Sequence, residues 1–147
     1  MPETPAPENL APENPARHTG PDTPGYEAYV GPVRALEAPG GQVRIGFTIE
    51  PRHLNGADML HGGMMMSFAA IALAHAARAA VADRPGSAVE AMSINCDFTG
   101  PGRPGDEAVA TARVTRATRT VVFCACDIEA DTRMLMTATG VFRVGAP

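Results

Sequence analysis

The stretch "HGGMMMSFAAIALAHAA", residues 61–77, decides how this chain is read. A His-Gly-Gly turn runs into an alanine-rich segment with no proline before Pro85, which predicts a long helix from about Gly62 to Val81 that stops near "DRPG". The first N–H groups of a helix have no internal partner, and the macrodipole adds partial positive charge there. Gly62 and Gly63 let a ligand come close to that backbone. Together they form an oxyanion-hole-type arrangement suited to polarising a carbonyl. The same glycines also suit a plain tight turn into a helix. Residues 61–77 contain no Asp or Glu, so this segment offers no carboxylate for the chemistry that such a site would perform.

Outward from the helix, the pattern turns to strands. In "GQVRIGFTIE", 41–50, Val43, Ile45, Phe47 and Ile49 alternate with polar or small residues, the mark of a half-buried strand. Residues 51–60 read as a loop. After the helix come four strand-like runs: "AVEAMSINCDF", with Met92, Ile94, Cys96 and Phe98 on one face; "EAVATARVTR"; "TVVFCACDIEA", with Val122, Cys124, Cys126 and Ile128 on one face; and "RMLMTATGVFRV". "GYEAYVGP" reads as a short helix or turn that docks Tyr26, Tyr29 and Val30. Strand, long helix, then four strands on short turns predicts an α+β layer fold, an antiparallel sheet of about five strands wrapped on one central helix. Several strands are apolar on both faces, so further sheet surface is expected to meet another subunit.

The chain has 147 residues and a formal net charge of -4. That length suits one domain, and the charge argues against nucleic acid as a partner. Residues 1–24 carry half the prolines and almost no large apolar side chain, so they read as a disordered tail before a domain at 25–147. Residues 64–82 have the length of a membrane span. They are built on alanine, however, and include His75 and Arg78, which predicts a buried helix and no membrane association. Three cysteines without metal-ligand spacing read as buried free thiols, and hence a cytoplasmic, reducing location. No metal site is expected.

The run "FTIEPRHLNGADMLHGGMMMSFAAIALAHA", with "MSINCDFTGPGRPGD" downstream, resembles hotdog-fold acyl-CoA thioesterases of the phenylacetate (PaaI-like) group. That group reads approximately N-P-x-G-x-x-H-G-G, then six residues, then an acid on the helix. The resemblance covers residues 26–145. It implies that Asn55 helps position the thioester or water. It also implies that His61, Gly62 and Gly63 form the turn whose N–H meets the thioester carbonyl. The acyl-CoA would lie across a homodimer interface, in a dimer or dimer of dimers, with coenzyme A as part of the substrate and no separate cofactor.

The departures fall on the acid/base half. The family acid position is Ala70, which can neither attack nor accept a proton. Ala91 stands where many relatives have Ser or Thr, Gly56 replaces the usual Pro, and Asp58 replaces a usual Gly. Asp58, just ahead of the turn, and Glu90, which shares strand parity with Met92 and Ile94, are candidate substitutes. Ser67, one turn before Ala70, is a substrate-contact candidate whose hydroxyl would also bond back to a helix carbonyl. His75 reads as a hydrogen-bonded core histidine. Met64, Met65, Met66 and Phe68 would serve an apolar acyl pocket or a plain core. Arg103, Arg116 and Arg119, with Arg113, are candidates for the coenzyme A phosphates or solvated hairpin charges.

The expected function is thioester hydrolysis, weakened by the loss of the acid. The alternatives are a non-catalytic binder of acyl-CoA and a regulatory hotdog module. A hotdog hydratase would need an Asp that this helix does not have.

Overall fold

The computed structural model describes residues 25–145. The predicted tail, 1–24, lies outside them. A short helix α1 (Tyr26–Val30) precedes strands β1 (Arg34–Leu36) and β2 (Val43–Thr48). A single 3-10 turn (Pro51–His53) leads to the long helix α2 (Gly62–Ala79). Strands β3 (Ala88–Phe98), β4 (Glu107–Ala117), β5 (Val121–Ala130) and β6 (Arg133–Gly145) follow. The strands form one antiparallel sheet in the order β1-β2-β4-β5-β6-β3, wrapped on α2, which is a hotdog fold. The sixth strand, β1, is three residues long and too short to show a period-2 pattern.

Alanine explains how the helix sits so close to the sheet. Ala69, Ala72, Ala76 and Ala77 of α2 are buried, and so are Ala108, Ala110 and Ala112 of β4. With methyl groups on both surfaces the backbones approach closely, while Phe47, Phe68, Leu73, Ile128 and Phe142 fill the remaining volume. Gly140 extends this logic to β6. A Cβ there would lie 2.8 Å from the Phe142 ring and 3.2 Å from Leu73 Cδ1 of α2. Gly140→Ala should therefore cost about 1–3 kcal/mol of stability by overpacking, read as a lower urea midpoint at unchanged slope.

Three expectations change. Tyr26 and Tyr29 do not dock into the core. They are 62% and 80% exposed and stacked on one another, and of the three residues only Val30 is buried. Cys124 and Cys126 are buried free thiols, pushed up to about 11 and about 12 by burial, but Cys96 on β3 is only half-buried. In β3 the pairing with β6 slips between Ala91 and Ser93, a bulge that inverts strand parity. Val89 and Ala91 before it therefore line the same cleft as Ile94 after it. Met92 and Phe98 are left 63% and 53% exposed.

β3 is also an edge strand eleven residues long, with no neighbour on its outer side among the described residues. Long edges with exposed apolar side chains are templates for pairing with another chain.

Candidate active site

The loop before α2 is fixed by His53. Its ring is buried against Phe47, centroid to centroid 5.1 Å and edge-on. Burial, and then the Arg52 guanidinium, push it below the ordinary histidine range, so it is neutral. Nδ1 then accepts from the Glu50 N–H at 3.0 Å, and Nε2–H donates to the Val30 carbonyl at 3.1 Å. The His53 carbonyl accepts the His61 N–H at 2.8 Å, so this one residue ties α1 and the 3-10 turn to the start of α2. A Pro-Arg-His tripeptide gives no sign of that role in sequence.

Asn55 organises the tip of the same loop. Its Oδ1 accepts from the N–H groups of Ala57 at 2.9 Å and Met59 at 3.2 Å, an Asx-type turn closed by the Leu54–Leu60 bridge. Asp58 sits at the exposed tip with φ 55, a left-handed conformation that explains the glycine usual in the resembling family.

At the helix start, His61 is the N-cap, and its Nδ1 accepts the Gly63 N–H at 2.9 Å. The Met64 and Met65 N–H groups both reach the His61 carbonyl. Among the described residues the Gly62 N–H has no acceptor, so it is the donor that the turn leaves free. The Phe98 ring lies beside Gly62: a Cβ there would be 3.2 Å from the ring. The two glycines thus do different work, since Gly63 completes the cap and Gly62 presents its N–H.

Ala70 lines an open cleft of about 560 Å³ with Ser67, Ile71, Ala91, Ile94 and Phe142. Position 70 therefore faces a cleft, with Ala91 lining it too. Arg78, Tyr26 and Glu27 line it as well. Ser67 donates to the Gly63 carbonyl at 2.9 Å, and the Tyr26 hydroxyl donates to Ser67 Oγ at 2.8 Å. That hydroxyl is committed twice, as expected of a helix serine rather than a nucleophile. A second cleft, about 580 Å³, lies on the other flank of α1 between Tyr29, Arg52, His53, His61 and Met64.

The candidate substitutes for the acid are not gathered here. The β3 bulge turns Glu90 away from Ile94, and its carboxylate pairs with Arg143 on the exposed side of the sheet. Asp58 lines neither cleft. His75 is not a core histidine either. It lies on the partly open face of α2, its side chain 34% exposed, and its Nε2 lies 3.1 Å from Glu27 Oε1. Glu27 and His75 are 48 residues apart, and only the folded chain brings them together.

The arginines divide. Arg103 lies in the loop before β4, where its N–H donates to Asp106 at 2.9 Å. Arg116 lies near the far end of β4 and Arg119 in the turn after it, roughly 30 Å or more away along the strand. Arg113 is paired with Asp127 at 2.8 Å. Arg119 shares a groove with Arg84, Ser87 and Thr120, so Arg84 is the basic neighbour that sequence reading missed.

Comparison with known proteins agrees with this architecture. Residues 57–137 match the family model for the thioesterase superfamily, and the chain belongs to that superfamily. A candidate esterase of Pseudomonas aeruginosa is 24% identical over 115 residues, covering 78% of this chain and 84% of the relative. The Escherichia coli PaaI protein, from the phenylacetic acid degradation operon, superposes with a TM-score of 0.69 at 26% identity over 78% of this chain and 80% of that one. Zebrafish thioesterase superfamily member 2 gives 0.74 at 23% identity, over 84% and 89%.

Among the described residues no helix is long and apolar enough to cross a membrane, and no cluster of His, Cys, Asp and Glu could hold a metal ion.

Proposed function

We propose that this protein hydrolyses acyl-CoA thioesters, in sites each completed by a second copy of the chain. The observation that carries this is the free Gly62 N–H at the start of α2, in a member of the thioesterase superfamily. A thioester carbonyl accepting that N–H gains the helix dipole as well, and both strengthen as the oxygen becomes an oxyanion. His61 and Asn55 hold the turn that presents it. The acyl chain takes the apolar cleft around Ala70. Gly62 and Ala70 are eight residues apart on one helix, about 12 Å along its axis, too far for one thioester group to touch both. A second copy antiparallel on the β3 edge supplies the missing half, with Met92 and Phe98 buried in the contact.

Residues 25–147 form the catalytic unit in this reading, and residues 1–24 stand outside it. Coenzyme A enters as part of the substrate, its phosphates meeting Arg119 and Arg84, with Arg116 beside that groove as a further contact, while Arg103 at the opposite end of β4 lies too far away to share them. The free cysteines suit the reducing cytoplasm.

One observation favours a second reading. Alanine at position 70 and alanine at position 91 leave two methyl groups where the resembling family carries reactive side chains, which would suit a binder of acyl-CoA that does not hydrolyse it.

The test is release of coenzyme A thiol from short, aromatic and long acyl-CoAs, with calorimetric binding of coenzyme A in parallel. Saturable turnover supports hydrolysis. Binding without turnover supports the second reading, and neither binding nor turnover overturns both. Light scattering should give twice or four times the 15.3 kDa chain mass. A monomer at micromolar concentration would remove the shared site.

A further inference from the structure

We propose that Glu27 is the general base of this site and takes over the role vacated at position 70, with His75 as its positioning residue. This rests on the hydrolytic reading above. Two consecutive residues of α1 are anchored on α2 either side of Ala70. The Tyr26 hydroxyl bonds Ser67, three residues before it, and the Glu27 carboxylate meets His75, five residues after it. The Tyr26–Glu27 segment therefore lies across position 70, and Glu27 lines the same cleft as Ala70 and Ala91.

His75 Nε2 lies 3.1 Å from one carboxylate oxygen and 3.3 Å from the other. A ring N–H there orients the carboxylate and stays behind it, since His75 is not on the cleft wall. The other charged group on the wall is Arg78, and Tyr26 is its remaining titratable group. β3 contributes Val89, Ala91 and Ile94, and β6 contributes Phe142, none of them ionisable. Among the described residues Glu27 is thus the carboxylate of this cleft.

A water in the cleft attacks the thioester carbonyl carbon while Glu27 takes its proton. The carbonyl oxygen becomes an oxyanion held by Gly62 of the partner subunit. The intermediate then collapses, the C–S bond breaks, and the proton on Glu27 passes to the departing sulfur. One water and one acyl-CoA give one carboxylic acid and one coenzyme A thiol.

Glu27→Gln keeps the size of the side chain and can still bond His75, so a merely structural role predicts no change. The base role predicts a fall in kcat of roughly 10²-fold or more with KM held within about threefold, and loss of the acidic limb of the kcat/KM pH profile. Adding Ala70→Asp to Glu27→Gln should return at least about tenfold of the lost turnover, because it puts a carboxylate back in the same cleft. His75→Ala should lower kcat less than Glu27→Gln, without removing the acidic limb.

An active wild type with unchanged Glu27→Gln kinetics overturns this proposal and leaves the hydrolytic reading standing. Loss of kcat that keeps the acidic limb, or that Ala70→Asp fails to rescue, overturns it too. A wild type that turns over no acyl-CoA overturns both.

Discussion

Replacing Gly62 with valine should abolish acyl-CoA turnover while the chain still folds. The free N–H at the start of α2 acts only if a carbonyl oxygen can approach to hydrogen-bond distance. A Cβ at this position already lies 3.2 Å and 3.4 Å from the Phe98 ring, so even alanine needs the ring to yield slightly. Valine adds two methyl groups to the same crowded space. Losing one oxyanion donor costs roughly 10²–10³-fold in kcat, and exclusion of the substrate adds to that. Gly62→Ala should fall between wild type and valine in kcat/KM. Both variants should keep a cooperative urea transition, with about 1–2 kcal/mol lost by the valine. Unchanged kcat/KM in Gly62→Val would mean that the thioester carbonyl is not bound here.

Ala70→Trp should be as damaging from the opposite half of the site. The cleft is open and Ala70 is half-buried on its wall, so an indole enters it without displacing the core. Stability should change by less than about 1 kcal/mol, in contrast to Gly140→Ala in the packed layer. Turnover of aromatic and long acyl-CoAs should fall by roughly 10²-fold or more, since their acyl groups have lost their seat. Chain-length profiles of kcat/KM check this. Unchanged kcat/KM for the longest substrate would show that the cleft does not hold the acyl chain.

How legible this was in sequence differs from element to element. The His61 cap, the glycine turn, α2 and the alternation of β2 are local features, and local chemistry sets them. The cleft-facing position of residue 70 follows from counting along one continuous helix. β1 was missed because three residues carry no period, and the strand exists only by pairing with β2. Glu90 was misplaced because parity counting assumes a regular strand, while the β3 bulge adds a residue and turns the earlier side chains over. Glu27 was invisible for another reason. It lies on a five-residue helix, and it reaches the cleft only through contacts that folding makes, of Glu27 with His75 and of Tyr26 with Ser67 on a different element. His53 is the same case, a buried side chain whose role is the set of backbone groups the fold brings to it.

The central claim, that one thioester site takes its carbonyl-polarising turn from one subunit and its acyl cleft from the other, has a direct test in mixed dimers. Gly62→Val and Ala70→Trp are each inactive on a long acyl-CoA in this account. When the two are unfolded together and refolded at equal concentration, half the dimers carry one of each. In those dimers one site has both lesions and the other has neither. The mixture should regain about a quarter of wild-type turnover, the statistical share for a two-fold symmetric shared site. A mixture that forms dimers and stays as inactive as its two parents would contradict the account, because it would place the turn and the cleft of each working site in the same chain.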